Sequence, residues 1–212
     1  MSSIKPEERK QLEEWTGLKC HVILFDTKYD NWRRNKTNFN DQIVGKRQLI
    51  FLIEEENGER FGYYLNTEVV EKFEEFTDDS DDYSDYSDDS EICYALTETD
   101  SKSFHFNLQS MGRLETPMKF PIKNTTKGGY RLSTPSEESL IHIGEIILMK
   151  NCKGEEDEDD IETDTLCQSD DLFDYHGIKK ALYRDKYFPQ INLEVLKFRL
   201  ERLIVIQMNE NE

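Results

Sequence analysis

Leu49-Ile50-Phe51-Leu52-Ile53 is apolar at every position, runs on to Asn57-Gly58, and is answered at once by Arg60-Phe61-Gly62-Tyr63-Tyr64-Leu65. Successive side chains of a strand point to opposite faces, so an unbroken apolar run predicts a strand covered on both sides. Asn-Gly suits the two positive-φ positions of a type I′ turn, which predicts a hairpin with a two-residue loop. Counting outward from such a loop sets Glu55 opposite Arg60, Ile53 opposite Gly62 and Phe51 opposite Tyr64. The charge pair and the aromatic pair each contribute about 0.2–1 kcal/mol, while Glu56 opposite Glu59 is a small penalty at a solvated tip. Such a hairpin belongs at the centre of a fold, with other elements packed over it.

The flanking segments supply those elements. Lys5 to Trp15 reads as a short helix with Pro6 in its first turn and Leu12 and Trp15 on one side, stopped by Thr16-Gly17. Cys20 to Phe25 reads as a strand and Asp26 to Lys36 as a polar loop in which Asp30 is a candidate cap. Trp32, Phe39 and Ile43 fall at helical spacing and Gly45 stands at a C′ position, predicting a helix over about Thr37 to Val44. Asn66 or Thr67 would cap a further helix to Phe76, with Val69, Val70, Phe73 and Phe76 as its apolar stripe. Ser103 to Gln109 alternates, with Phe104, Phe106 and Leu108 inward and His105 on the polar face. Met118, Phe120 and Ile122 alternate likewise, and Pro121 marks that strand as an edge or a bulge. Gly128-Gly129 turns the chain into Tyr130-Arg131-Leu132, and Leu140 to Lys150 reads as one strand bent at Gly144. Phe173 to Phe188 is irregular, Leu193 to Leu203 suits a helix as well as a strand, and Leu203 to Met208 is a final strand. The fold expected is α+β: a two-layer antiparallel β-sandwich with a few short flanking helices.

The chain has 212 residues and a formal net charge of −18. That length predicts one domain, or one domain with insertions. Thr77 to Glu91 and Gly154 to Asp164 each carry eight acids and no Lys or Arg, so setting them aside leaves a net charge of −2. The acidity is a property of two loops, expected as solvated, disordered insertions at about 77–91 and 153–171. The remainder lacks the clustered basic residues that phosphate backbones require, which excludes nucleic acid as the expected partner. There is no apolar run of about 18 residues to span a membrane and no apolar signal core at the N-terminus, so a cytoplasmic location is expected. Organisation follows as a helical lead-in over 1–15, a single domain over 16–208 and a polar tail over 209–212.

No constellation for catalysis, a cofactor or a metal emerges, so none is assigned. His21 lies next to Cys20 on a strand, where neighbours face opposite ways, and His105, His142 and His176 have no second residue at ligand or triad spacing. Cys20, Cys93, Cys152 and Cys167 are scattered without a C-x-x-C pattern, which favours inert reduced thiols. An EF-hand register ending on Glu91 puts Asp85 at the sixth position, where glycine is needed. The serines and tyrosines from Ser80 to Ser90 are open to phosphorylation.

A strand ending in Leu24-Phe25-Asp26, a helix closing on Val44-Gly45 and the block Leu49 to Tyr64 together resemble the opening of the TLDc domain, the module of oxidation-resistance proteins. Leu49, Phe51, Ile53, Asn57, Gly58, Phe61, Gly62 and Tyr64 carry the likeness. The acidic residue and Val-Trp of the family's last strand are replaced by Ile204, Val205 and Ile206, and its Ser/Cys/Thr-Phe segment has no counterpart in Tyr175 to Phe188, so roles attached to those residues are not carried over. The resemblance implies a sandwich of two antiparallel sheets. It also implies a non-enzymatic protein-interaction module, associated with oxidative-stress protection and with binding a vacuolar-type proton pump. Two other readings stay open: a thiol-dependent antioxidant enzyme, and a cation-binding module acting through the acidic loops.

Overall fold

The computed structural model describes residues 4–70, 101–110, 114–122, 129–134, 139–143, 146–150, 166–170 and 195–210. Among them are two helices, α1 (Pro6–Thr16) and α2 (Phe39–Ile43). The strands are β1 (Lys19–Asp26), β2 (Leu49–Glu55), β3 (Arg60–Leu65), β4 (Phe104–Gln109), β5 (Met118–Pro121), β6 (Tyr130–Leu132), β7 (Ser139–Ile143), β8 (Ile146–Met149), β9 (Leu166–Asp170) and β10 (Val195–Asn209). Every strand pair is antiparallel, and the strands form two sheets that share β10. One sheet runs β5-β4-β3-β2-β10, and the other continues β10-β9-β8-β7-β6. Ile204 to Ile206 pair with β1 as well as with β2, so β1 takes the edge of β10 opposite β2.

The apolar run Leu49 to Ile53 lies in β2, hydrogen-bonded between β10 and β3. Leu49, Phe51 and Ile53 belong to one hydrophobic cluster, and Ile50 and Leu52 to a second. The first cluster joins Phe39 and Ile43 of α2 to residues of both sheets, including Tyr130, Ile141 and Leu148. The second lies under α1, where Leu12 is fully buried beside Ile204, Ile206 and Phe106. Burying a Leu, Ile or Phe side chain contributes about 1.5–3 kcal/mol, so a strand buried on both faces concentrates stabilisation where the chain is most central.

The hairpin register differs from the expected one by a residue: Glu54 faces Arg60, Ile53 faces Phe61, Leu52 faces Gly62, Phe51 faces Tyr63 and Ile50 faces Tyr64. Gly58 alone takes a positive φ, at 87°, and Asn57 does not. The Gly58 N–H donates to the Glu55 carbonyl at 2.8 Å and the Glu55 N–H to the Glu59 carbonyl at 2.9 Å. The loop therefore has three residues ending on a left-handed glycine, the other common solution for an Asn-Gly hairpin. The Asn57 side chain accepts the Glu59 N–H at 2.9 Å, which holds the turn in that form.

Other differences have equally local causes. Leu140 to Lys150 is not one bent strand: β7 and β8 pair with each other, Ile143 opposite Ile146. Residues 166–170, expected inside an acidic insertion, form β9 between β8 and β10. Residues 66–70 are not helical; the Val69 N–H donates to the Lys46 carbonyl at 2.8 Å and the Gly45 N–H to the Val69 carbonyl at 2.7 Å, which ties this segment to the turn before β2. The rest of that expected helix, both acidic runs and the irregular Phe173 to Phe188 segment lie outside the described residues. The ambiguous Leu193 to Leu203 segment is strand over its described part. The helix expected over Thr37 to Val44 is the shorter α2; Trp32 precedes it yet packs on the same cluster. Pro121 ends the edge strand β5, as a residue without a ladder donor should.

Candidate functional site

Six of the eight residues that carry the resemblance, Leu49, Phe51, Ile53, Phe61, Gly62 and Tyr64, are buried as core rather than gathered as a reactive centre, and the other two lie at the hairpin turn. Leu49, Phe51, Ile53 and Phe61 sit in the first cluster, with Phe61 edge-on to Phe198 at 5.2 Å between ring centroids. Asn57 and Gly58 form the turn. Gly62 lies where a Cβ would stand 1.8 Å from the Phe51 carbonyl oxygen and 2.8 Å from the Phe106 ring, so only glycine fits. Tyr64 alone reaches a concave surface, its hydroxyl donating to Asn66 Oδ1 at 2.9 Å.

That surface is a cleft of about 360 Å³ built from pieces distant in sequence. The C-terminal turn of α1 brings Trp15, β3 brings Tyr64, and the start of β4 brings Phe104. Trp15 meets Phe104 edge-on at 6.4 Å, and Tyr64 lies 5.1 Å from Phe104, giving the cleft an aromatic wall. Lys119 of β5 stands over the Phe104 ring at 5.2 Å and reaches the Trp15 carbonyl at 3.5 Å. Lys102 and Glu210 complete the charged rim, and no histidine or cysteine lines the cleft. Aromatic faces beside ammonium groups suit non-covalent capture of an anion attached to an apolar or aromatic body.

The titratable candidates are placed as follows. Cys20 is buried and His21 exposed, on opposite sides of β1. Burial, reinforced by the nearby Glu13 carboxylate, pushes the Cys20 thiol up to about 11, so at neutral pH it is protonated and a poor nucleophile. His105 is not on a solvated face: it is 2% exposed and packs edge-on to Tyr63 at 4.7 Å. His142 is half-buried on β7, and His176, Cys93 and Cys152 lie outside the described residues. Cys167 is on β9 opposite Phe198. Among the described residues no group of three or more His, Cys, Asp or Glu side chains could hold a metal ion.

One polar arrangement joins the two ends of the chain. Asp26, at the end of β1, accepts from Arg202 Nε through Oδ1 at 2.7 Å and from Arg202 Nη2 through Oδ2, and also takes the Lys28 N–H at 3.1 Å. Asp30 is no helix cap; its carboxylate accepts the Asp26 N–H at 2.7 Å and stiffens the same corner. The two charged partners are 176 residues apart, so no local signal could pair them. Compared with protein-family models and with curated proteins, the chain matches none.

Proposed function

We propose that the chain is a TLDc-like interaction module without catalytic activity, in which the two sheets face each other as a two-layer sandwich and the bound partner is the peripheral part of a vacuolar-type proton pump. The sandwich reading is supported by the first hydrophobic cluster, which draws side chains from both sheets around Phe51 and Tyr63. The functional reading is supported by one observation: the residues that carry the family resemblance make up a single element, the β2–β3 hairpin, buried on both faces. A resemblance confined to scattered surface positions would carry less, because those positions tolerate substitution without changing the fold.

Partner binding is tested with purified components. Co-sedimentation of the chain with the isolated peripheral sector of a vacuolar-type proton pump should give a saturable, stoichiometric complex at about micromolar concentrations. Absence of any complex, with the chain shown by circular dichroism to be folded, would remove the proton pump as its partner.

A further inference from the structure

We propose that the cleft between α1 and β4–β5 is a binding site for a small aromatic carboxylate. The proposal goes beyond the proton-pump reading and does not depend on it. At about 360 Å³ the cleft lies at the small end of ligand pockets, with room for a ring and a polar group. Trp15, Tyr64 and Phe104 are packed against one another, so the aromatic wall stands ready before a ligand arrives. Lys119 supplies the charge. Its side chain is exposed and its ammonium stands 5.2 Å from the centre of the Phe104 ring, so an anion held there is held beside the wall. The Trp15 carbonyl, at 3.5 Å, takes at most one of its three N–H donors. Lys102 is engaged in an interaction of its own and is not needed. Lys119 with the Glu210 carboxylate on the same rim suits a monoanion, because the second charge of a phosphate would be repelled by Glu210.

A second observation singles out Gln48, which lines the same cleft just before β2. Among the described residues other than glycine, only Asn35 and Gln48 take a positive φ, each at 58°. Asparagine enters that region readily, whereas glutamine gains nothing from it. The conformation is held from outside, since the Gln48 carbonyl accepts the Met208 N–H at 2.9 Å. Glycine would make the same bend without the steric cost, so what glutamine adds is a side-chain amide at the cleft. Strained backbone of this kind gathers at ligand sites, where the surrounding structure sustains it. The amide of Gln48 can donate to a carboxylate that Lys119 neutralises, while the ring of the ligand lies against the aromatic wall.

The test titrates the isotope-labelled full chain with phenylacetate and follows the backbone amides by nuclear magnetic resonance. Amides of Gln48, Phe104 and Lys119 should shift saturably, with half-saturation at about millimolar for so small a probe. Phenylacetamide, the neutral isostere, should need about tenfold more, and propionate, which lacks the ring, should not saturate. Lys119→Gln should bring phenylacetate down to the affinity of phenylacetamide and leave phenylacetamide itself unchanged, a pattern that loss of folding cannot produce. Gln48→Gly should raise the urea midpoint by relieving the backbone, yet weaken phenylacetate about threefold or more. A purely structural Gln48 would not move stability and binding in opposite directions. Shifts that never saturate, or that centre away from the cleft, would overturn the proposal. Equal binding of phenylacetate and phenylacetamide would overturn the anion assignment, and equal binding of phenylacetate and propionate would overturn the role of the aromatic wall. Unchanged phenylacetate binding by the Gln48→Gly chain would overturn the role given to that side chain.

Discussion

Gly62 is the position where a single added carbon does most damage. Its Cβ would stand 1.8 Å from the Phe51 carbonyl oxygen, in a strand whose neighbours on both sides are fixed. Gly62→Ala should destabilise the chain by about 3 kcal/mol or more, read as a fall in the urea midpoint at unchanged slope. An unchanged midpoint would place Gly62 outside a packed strand. Gly58 is a different case: space is open around it, but its φ of 87° is unfavourable for any other residue. Gly58→Ala should cost about 1 kcal/mol, and Asn57→Gly, at a position with negative φ, should not stabilise the turn as a type I′ loop would require. Cys20 makes a kinetic prediction. With its thiol held protonated up to about pH 11, modification by iodoacetamide at neutral pH should be at least tenfold slower in the folded chain than in urea.

Among the elements, β10 decides most. It pairs with β1, β2 and β9, and it carries one extra residue, Glu201, between Leu200 opposite Glu55 and Arg202 opposite Glu54. Before that bulge Phe198 and Leu200 face the first cluster; after it Leu203 and Val205 do. The bulge therefore turns a spacing of two into a spacing of three, which is why Leu200 and Leu203 read as helix or strand from sequence alone. It also aims Arg202 at Asp26. Asp26→Ala should cost about 3 kcal/mol by leaving a largely buried guanidinium without its bidentate partner, and Arg202→Lys should recover only part of the pair. Helix α1 was legible because its signals are local: Pro6 at the start, Gly17 at the stop, Leu12 on the buried side. Its Glu13 carboxylate is raised by burial, but hydrogen bonds from Lys19, Arg9 and the Cys20 backbone outweigh this and hold its pKa below the ordinary carboxylate value of 4.5. A depressed folded value stabilises above the unfolded one, so this contribution is present at neutral pH and is lost as pH falls through the folded pKa, below about 4.5. Glu13→Gln should flatten the fall of unfolding midpoint between neutral pH and pH 3; an identical pH profile would assign the acid sensitivity elsewhere.

Seen as a whole molecule, two sheets are held by one long strand and one hairpin. The doubly apolar β2 announced its own burial, because no solvated strand tolerates five consecutive large apolar side chains. The cleft did not announce itself: Trp15, Tyr64, Phe104 and Lys119 come from four elements and meet only when the sheet forms. The bend expected at Gly144 and the loop expected over 166–170 failed for a related reason, since pairing partners supplied by distant strands decided both. The claim on which the rest depends is that β2, β3 and the second half of β10 are the most protected part of the chain. Native-state hydrogen exchange, resolved by residue, tests it most directly. Amides of Leu49 to Ile53, Phe61 to Leu65 and Ile204 to Ile206 should exchange slowest, with free energies approaching that of global unfolding. Exchange of β2 as fast as that of the edge strand β5 would contradict the central placement of the hairpin, and with it the reading of the family resemblance as the core of the fold.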